Sequence, residues 1–208
     1  MKTLLASLTL GAAGFANAAV AAPPPEAWEI GPVIRGKNYS KGMPATMQDG
    51  PQGPWFAFPL QGRGEVHYVT LPVNSLEGAR AITLRYRIDA APGARLVSAD
   101  GSAQGTFGLA FQRAGDNWTA RGRYETYRWY SPDAPIMTPG THTFTVRLDD
   151  PRWGAIMTSK AASDPQAFAA AKAEAQSVSM TFGGGTGRGH GVYATGPARF
   201  TLLDFRID

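Results

Sequence analysis

Apolar and polar residues alternate along several short segments of the chain, which is the pattern of strands with one buried face. In residues 82–88 every second position from Ile82 is apolar, while Thr83, Arg85 and Arg87 occupy the positions between. The same alternation predicts four further strands, at residues 66–71, 106–111, 141–148 and 177–182. Such segments are typical of antiparallel strands, which bury one face and leave the other in solvent.

Residues 198–207 are predicted to form a final strand whose alternation changes phase halfway. Phe200 and Leu202 lie on one face, whereas Leu203 and Phe205 continue on the other. A β-bulge inserts one extra residue into a strand and thereby restores a common face. We therefore expect a bulge near residues 202–203.

A single helix is predicted over residues 165–176. Asp164 is a favourable N-cap. Pro165 suits the first helical position, because a backbone N–H at that position has no acceptor within the helix and its absence costs nothing. The segment is rich in alanine, with Phe168 as its main large apolar residue. Many short strands, Gly/Pro-rich turns and one short helix together indicate an all-β, antiparallel β-sandwich of the jelly-roll type.

The first residues have the pattern of an export signal. Lys2 supplies a positive start, residues 4–15 are an apolar run, and Ala16-Asn17-Ala18 matches a cleavage site. The run is shorter than the ~20 residues that a membrane-spanning helix needs. We therefore expect a signal peptide at 1–18, a Pro/Ala-rich spacer at 19–27 and one sandwich domain at 28–208. The protein would be exported to the periplasm or the extracellular space, without a membrane span.

Charge and cysteine content narrow the possible partners and sites. The chain has 208 residues, a formal charge of +4 and no cysteine. Loss of the predicted signal would remove Lys2 and no acid, which lowers the charge to +3. A mild basic excess without clustered Lys and Arg does not match a nucleic-acid-binding surface, but it suits an acidic polysaccharide. The lack of cysteine excludes disulfides and thiolate metal sites.

Residues 117–130 contain two Trp, three Tyr and three Arg in fourteen positions. At the two-residue period of a strand, one side presents a strip made of Arg121, Arg123, Glu125, Tyr127 and Trp129. Such a strip suits a sugar chain, because sugar rings offer apolar faces and hydroxyl groups. The alternative is that Tyr127 and Trp129 pack in the core. A bulge at Gly122 would exchange the two sides.

The glycine-rich segment 183–191 predicts a long hairpin connection. It lacks the Lys-Ser/Thr pair of a phosphate loop, and no helix follows it. It either only joins two strands or presents Arg188 and His190 to a ligand at the rim of the sandwich. The three histidines show no zinc-ligand spacing, and Asp149-Asp150 reads as a turn rather than a calcium site. No metal or other cofactor is predicted.

Residues 78–208 resemble the jelly-roll domains of secreted carbohydrate-binding modules and galactose-binding-like proteins. The resemblance rests on the short alternating strands, the loop GGGTGRGHGVY and the closing strand ARFTLLDFRID. It implies a jelly-roll sandwich and sugar binding.

The sequence therefore favours a non-catalytic, lectin-like protein whose partner is a glycan, with an acidic glycan favoured by the positive charge. Aromatic faces would stack on sugar rings, and Arg121, Arg123 and Arg128 would bond hydroxyls or carboxylates. Two alternatives stay open. One is a polysaccharide-degrading enzyme with Glu125 as acid or base and His190 or a tyrosine assisting, although no pair of carboxylates is evident. The other is a structural or interaction protein of the envelope.

Overall fold

The computed structural model describes residues 22–185 and 188–208. The predicted signal peptide at 1–18 and the start of the predicted spacer lie outside the described residues. No helix within the described ranges is long and apolar enough to cross a membrane.

Fourteen strands are present in the described part of the chain, and every pairing between them is antiparallel. The first seven are β1 (Glu29–Gly31), β2 (Val33–Ile34), β3 (Lys37–Asn38), β4 (Trp55–Ala57), β5 (Tyr68–Pro72), β6 (Ala81–Ala90) and β7 (Leu96–Ser98). The other seven are β8 (Gly105–Arg113), β9 (Arg128–Tyr130), β10 (Gly140–Arg147), β11 (Gly154–Ala155), β12 (Ala175–Gly184), β13 (Val192–Ala194) and β14 (Ala198–Ile207). The helix α1 covers Pro165–Ala173, and short 3-10 helices cover Pro25–Ala27 and Gly122–Thr126.

Two larger sheets pack face to face around the core. Their strand orders are β1-β5-β12-β8-β9-β11 and β10-β6-β14-β4, and two-stranded sheets form from β13-β7 and β2-β3. The ring of Tyr86 on β6 lies 4.8 Å from that of Phe107 on β8, and Phe56 on β4 lies 5.6 Å from Phe182 on β12. In residues 22–185 and 188–208 the fold is thus all-β and antiparallel with one short α-helix, as predicted. A jelly-roll topology stays a prediction.

The alternating segments form the long strands of these sheets. In β6 the residues Ile82, Leu84 and Tyr86 are buried, because they face the opposite sheet, while Arg85 is exposed. The bulge predicted near residues 202–203 is confirmed, since the pairing of β14 with β6 shifts register between Leu202 and Asp204. Leu202 and Phe205 are both buried as a result.

The predicted helix is confirmed at its start and ends earlier than predicted. α1 begins at Pro165, and the carboxylate of Asp164 accepts a hydrogen bond of 3.3 Å from the backbone N–H of Ala167. The helix ends at Ala173 rather than at residue 176 because β12 already starts at Ala175.

Helix α1 covers an aromatic cluster at the β9 edge of the core. Its Phe168 ring lies 4.9 Å from Trp129, 5.7 Å from Phe111 and 6.2 Å from Trp153. Both tryptophans are fully buried. Phe168 is therefore the residue that attaches the helix to the sandwich.

Residues 117–130 do not form one strand, and this part of the prediction was wrong. Trp118, Ala120 and Gly122 have positive φ angles of 65°, 51° and 57°, which lie outside the range of strand residues. A 3-10 helix follows over Gly122–Thr126, and only β9 is extended. The alternate residues of this segment therefore do not line one face.

Candidate functional site

The six-stranded sheet has a face that points away from the core, which we call the outer face. On its two central strands, β8 and β12, the residues of this face are small or polar: Gly108, Ala110, Gln112, Ser177, Ser179 and Thr181. They are nevertheless buried. Side chains from the flanking strands and loops must therefore cover them.

Two tyrosines meet above these small residues. Tyr68 on β5 and Tyr130 on β9 belong to strands that are three strand spacings apart, or about 14 Å. Their hydroxyl oxygens are nevertheless only 2.9 Å apart, and both side chains are buried. Gly108 and Ala110 leave the space in which the two rings lean towards each other.

Burial changes the acidity of the tyrosines. It raises the pKa of Tyr68 well above its usual value near 10, and the adjoining Tyr130 hydroxyl raises it further. Burial also raises the pKa of Tyr86, in the core, to about 12. At neutral pH the Tyr68 hydroxyl is therefore protonated and serves as a hydrogen-bonding group, not as a base.

We expect the free energy of unfolding to fall as the pH rises from 10 to about 12. Tyrosine in the unfolded chain loses its proton near pH 10, whereas folded Tyr86 keeps it until about pH 12. The stability that depends on the protonated hydroxyl is complete below pH 10 and is lost through this window. Equilibrium unfolding with tyrosinate absorbance recorded in parallel measures it. Tyr86→Phe should reduce the loss, and an unchanged loss in that variant would contradict the assignment.

A buried ion pair lies beside the tyrosines. Arg128 Nε is 2.7 Å from Asp116 Oδ2, and the two side chains are 6% and 0% exposed. Gln112 Nε2 donates a hydrogen bond of 2.8 Å to the same carboxylate oxygen. Within the described residues, Nε and Nη2 of Arg128 make no hydrogen bond of acceptable geometry. The Arg128–Asp116 contact is therefore held by charge, and it fixes the loop after β8 to the outer face.

Trp118 covers this ion pair from the solvent side. The Arg128 guanidinium lies 4.4 Å from the indole centre, and the Tyr68 ring meets the indole edge-on at 5.5 Å. The positive φ angles of Trp118 and Ala120 are uncommon for residues with side chains and cost on the order of 1–3 kcal/mol each. The contacts with Arg128 and Tyr68 hold Trp118 in this strained turn.

A cavity of about 700 Å³ opens at the other end of the outer face, beside Tyr130. We call it the basic cavity, because its wall contains Arg152, Lys160 and Arg188. Arg152 is neutralised by ion pairs with Asp133 and Asp150. Neither Lys160 nor Arg188 has an acidic partner among the described residues. Two positive charges therefore face the cavity without compensation.

These two cations converge on one point. A Cβ atom on Gly154 would lie 3.2 Å from Lys160 Nζ and 3.6 Å from Arg188 Nη2. Because glycine has no side chain, both cations can approach the backbone here, and a Cβ would crowd Lys160 Nζ. Arg188 is also fixed by a hydrogen bond of 3.2 Å from Nη1 to the carbonyl of Ile156, and its guanidinium lies 5.8 Å from the Tyr130 ring centre. The arrangement matches the needs of a carboxylate or a similar anion.

The glycine-rich connection between β12 and β13 positions Arg188. Gly189 has a φ of +69°, and a Cβ there would overlap the Tyr68 ring, so only glycine allows this close approach. His67 Nδ1 lies 2.9 Å from the Gly189 carbonyl and must donate, because a carbonyl only accepts. The Tyr68 hydroxyl lies 3.4 Å from the Arg188 carbonyl. Residues 186–187 of this connection lie outside the described residues.

His190 does not join Arg188 at the basic cavity. It is exposed and lines a separate hollow with Ser98, Asp100 and Ser102. Hydrogen bonds from Ser98 and Ser102 lower the pKa of Asp100 to about 2. No group of three His, Asp or Glu side chains that could hold a metal ion occurs in residues 22–185 and 188–208.

The predicted strip is dispersed in the structure. Arg121 and Arg123 are exposed, and Glu125 is exposed with its Oε1 accepting a 3.2 Å hydrogen bond from the Gly122 N–H. Tyr127 is half-buried, and Trp129 is fully buried in the core. The prediction that these five residues form one surface was therefore wrong. Ligand binding by the exposed members stays a prediction.

Sequence reasoning missed most of the residues that the structure brings together. The sequence patterns give no binding signal for four residues around the cavity, namely Tyr68, Tyr130, Arg152 and Lys160. Of the cavity residues, only Arg188 carried a signal, namely its position in a glycine-rich loop between two strands.

Comparison with known proteins adds no identification. No family model, no curated protein and no solved structure matches this chain.

Proposed function

We propose that this is an exported, non-catalytic carbohydrate-binding protein whose basic cavity holds the carboxylate of an acidic sugar. The observation that carries the proposal is the convergence of Lys160 Nζ and Arg188 Nη2 beside Gly154 without an acidic partner among the described residues. Two like charges held near each other raise the free energy of the empty protein. An anion placed between them removes that cost and gains charge-assisted hydrogen bonds.

The remaining wall of the cavity suits a sugar. Its volume of about 700 Å³ lies within the usual range of small-molecule sites. Tyr130 lines it with a ring edge, and Lys160 offers N–H donors for hydroxyls beside the carboxylate. A carboxylate fixes one end of such a ligand, while the polar groups select its orientation.

The chemistry around the cavity supports binding rather than bond cleavage. Hydrolysis of a glycosidic bond uses two carboxyl groups that flank it. Asp133 and Asp150, the acids beside the cavity, are both paired with Arg152. Glu125, the acid considered for catalysis, bonds to its own backbone at Gly122 and belongs to another element. The protonated state of Tyr68 also makes it a poor base.

Titration calorimetry with a panel of uronic-acid oligosaccharides tests the proposal. The panel contains galacturonate, mannuronate, guluronate and glucuronate oligomers, together with their neutral methyl esters. We expect an acid to bind and its ester to bind far more weakly. Lys160→Gln and Arg188→Gln should each weaken binding about ten- to a hundredfold, the usual effect of losing a hydrogen bond to a charged group.

A matched control separates binding from folding. Lys41→Gln changes an exposed lysine that does not line the basic cavity, so its affinity should equal that of the wild type. The stability of Lys160→Gln should be unchanged or slightly raised, because a repulsion is removed. Equal binding of acids and esters would refute the carboxylate site. Release of reducing ends or unsaturated products would instead support the enzyme alternative, and no glycan binding at all would support an interaction protein.

A further inference from the structure

We propose that the outer face holds a second anionic subsite, and that the ligand is a linear polyuronate long enough to span both. This inference rests on the proposed function of the basic cavity. The second subsite is a cavity of about 430 Å³ that we call the hairpin cavity, lined by Ile34, Arg35, Lys37, Tyr39, Asn117, Trp118 and Thr119.

One wall of the hairpin cavity is the turn between β2 and β3. Arg35 and Lys37 are exposed there, and no acidic partner of either occurs in the described part of the chain. Lys37 Nζ lies 4.9 Å from the centre of the Tyr39 ring. The Tyr39 side chain is itself exposed, with 39% of its surface accessible to solvent. The wall therefore combines two positive charges that lack an acidic partner with an accessible aromatic ring.

The opposite wall is the strained turn that carries Trp118. Trp118 is half-buried and lines the cavity, and the Arg128 guanidinium packs on its ring. The side chain of Asn117 bonds to Thr119 and thereby rigidifies the turn. A backbone kept in an unfavourable conformation at the lip of a cavity is a feature that occurs often at binding sites.

The two cavities are connected by contacts along the outer face. Tyr130 of the basic cavity bonds to Tyr68, and Tyr68 packs against Trp118 of the hairpin cavity. The strands from β9 to β1, from which the hairpin extends, span four strand spacings, or about 19 Å. A ligand that reaches both cavities must therefore be several sugar rings long.

Charge determines the kind of ligand. Both cavities present uncompensated cations, so a ligand with a single carboxylate can bind the cations of only one cavity. A polyuronate repeats its carboxylate at every unit, so one chain can present a carboxylate to each of the two cavities. Two linked contacts raise affinity because the second forms within the same complex.

Affinity as a function of chain length tests the inference. Calorimetry with uronate dimers and hexamers of the same sugar should show at least about tenfold tighter binding of the hexamer to the wild type. Lys37→Gln should weaken hexamer binding about three- to tenfold and leave dimer binding unchanged. Lys160→Gln should weaken both. Trp118→Gly, which suits the positive φ angle, should behave like Lys37→Gln, and Lys41→Gln should behave like the wild type.

The possible results separate the two proposals. Equal affinity for dimer and hexamer, or an equal effect of Lys37→Gln on both, would overturn the second subsite while leaving the basic cavity intact. No binding of any uronate would overturn both. Tighter binding of a thymidine oligonucleotide than of the hexamer, lost in Lys37→Gln, would show that the face binds a nucleic acid instead. If Trp118→Gly fails to fold, the exposed Lys37 variant still decides the question.

Discussion

A Trp129→Ala variant is expected to lose about 3–5 kcal/mol of its free energy of unfolding. The Trp129 side chain is fully buried, meets the Phe168 ring edge-on at 4.9 Å and donates a hydrogen bond of 2.8 Å from Nε1 to the Thr126 carbonyl. Truncation leaves a cavity beneath α1 and leaves that carbonyl without its partner. The packing of α1 against the sandwich should weaken as a result.

Urea unfolding of the variant, with circular dichroism as the signal, measures this loss. Tyr127→Ala is the matched control, because Tyr127 is two positions away and half-buried, with its ring against Tyr124 and the Arg113 guanidinium. The Tyr127→Ala variant should lose clearly less of its free energy of unfolding than Trp129→Ala. If the order were reversed, Trp129 would not be the core residue of the segment and the exposed strip would regain support.

Asp116→Ala should destabilise the protein by about 3–5 kcal/mol, because it leaves the charge of Arg128 buried without a counter-ion. The Asp116 carboxylate is completely buried and also accepts the hydrogen bond from Gln112. Its removal should release the loop that carries Trp118, so loss of hexamer binding is expected to accompany the loss of stability. Thermal and urea unfolding measure the first effect and calorimetry the second.

Two further variants show whether charge is the cause. Asp149→Ala breaks an exposed ion pair with Arg147 and should change stability little, because such pairs are screened by water. The double variant Asp116→Ala/Arg128→Met removes both charges and should be more stable than Asp116→Ala alone. A double variant that is no better than the single one would mean that packing, not an unpaired charge, accounts for the loss.

The parts of the fold that were predicted correctly are those in which local pattern and burial agree. Residues 82–88 alternate because β6 lies between two strands with one face on the core. Asp164 and Pro165 indicated the start of α1 because capping is a local effect of neighbouring residues. The bulge in β14 was visible because an extra residue shifts the alternation itself.

Residues 117–130 were predicted wrongly because two of their positive φ angles fall on Trp118 and Ala120. Residues with side chains rarely adopt this conformation, so no local signal indicates it. Aromatic and arginine side chains also fit either face of a strand, which made the alternation ambiguous. The long-range contacts of Trp118 with Tyr68 and Arg128 decide the conformation, and a single sequence does not show them.

Most of the candidate site could not be predicted from the sequence, for the same reason. Lys160 and Arg188 are far apart in the chain and meet only because β11 and the β12–β13 connection adjoin at Gly154. Gly154 looks like an ordinary turn residue in the sequence. Its importance is that its lack of a side chain lets both cations approach the backbone, which becomes apparent only when the surrounding side chains are known.

The unequal burial of the five tryptophans gives this protein an optical reporter. Trp28, Trp129 and Trp153 are fully shielded from water, whereas Trp55 and Trp118 are partly exposed. Indole emission depends on the polarity of its surroundings, so three of the five emit from a constant environment. Trp55 lies under Arg199 on the four-stranded sheet, away from the outer face. Any shift in emission that accompanies occupancy of that face therefore originates at Trp118, and ligands can be screened by intrinsic fluorescence without a label.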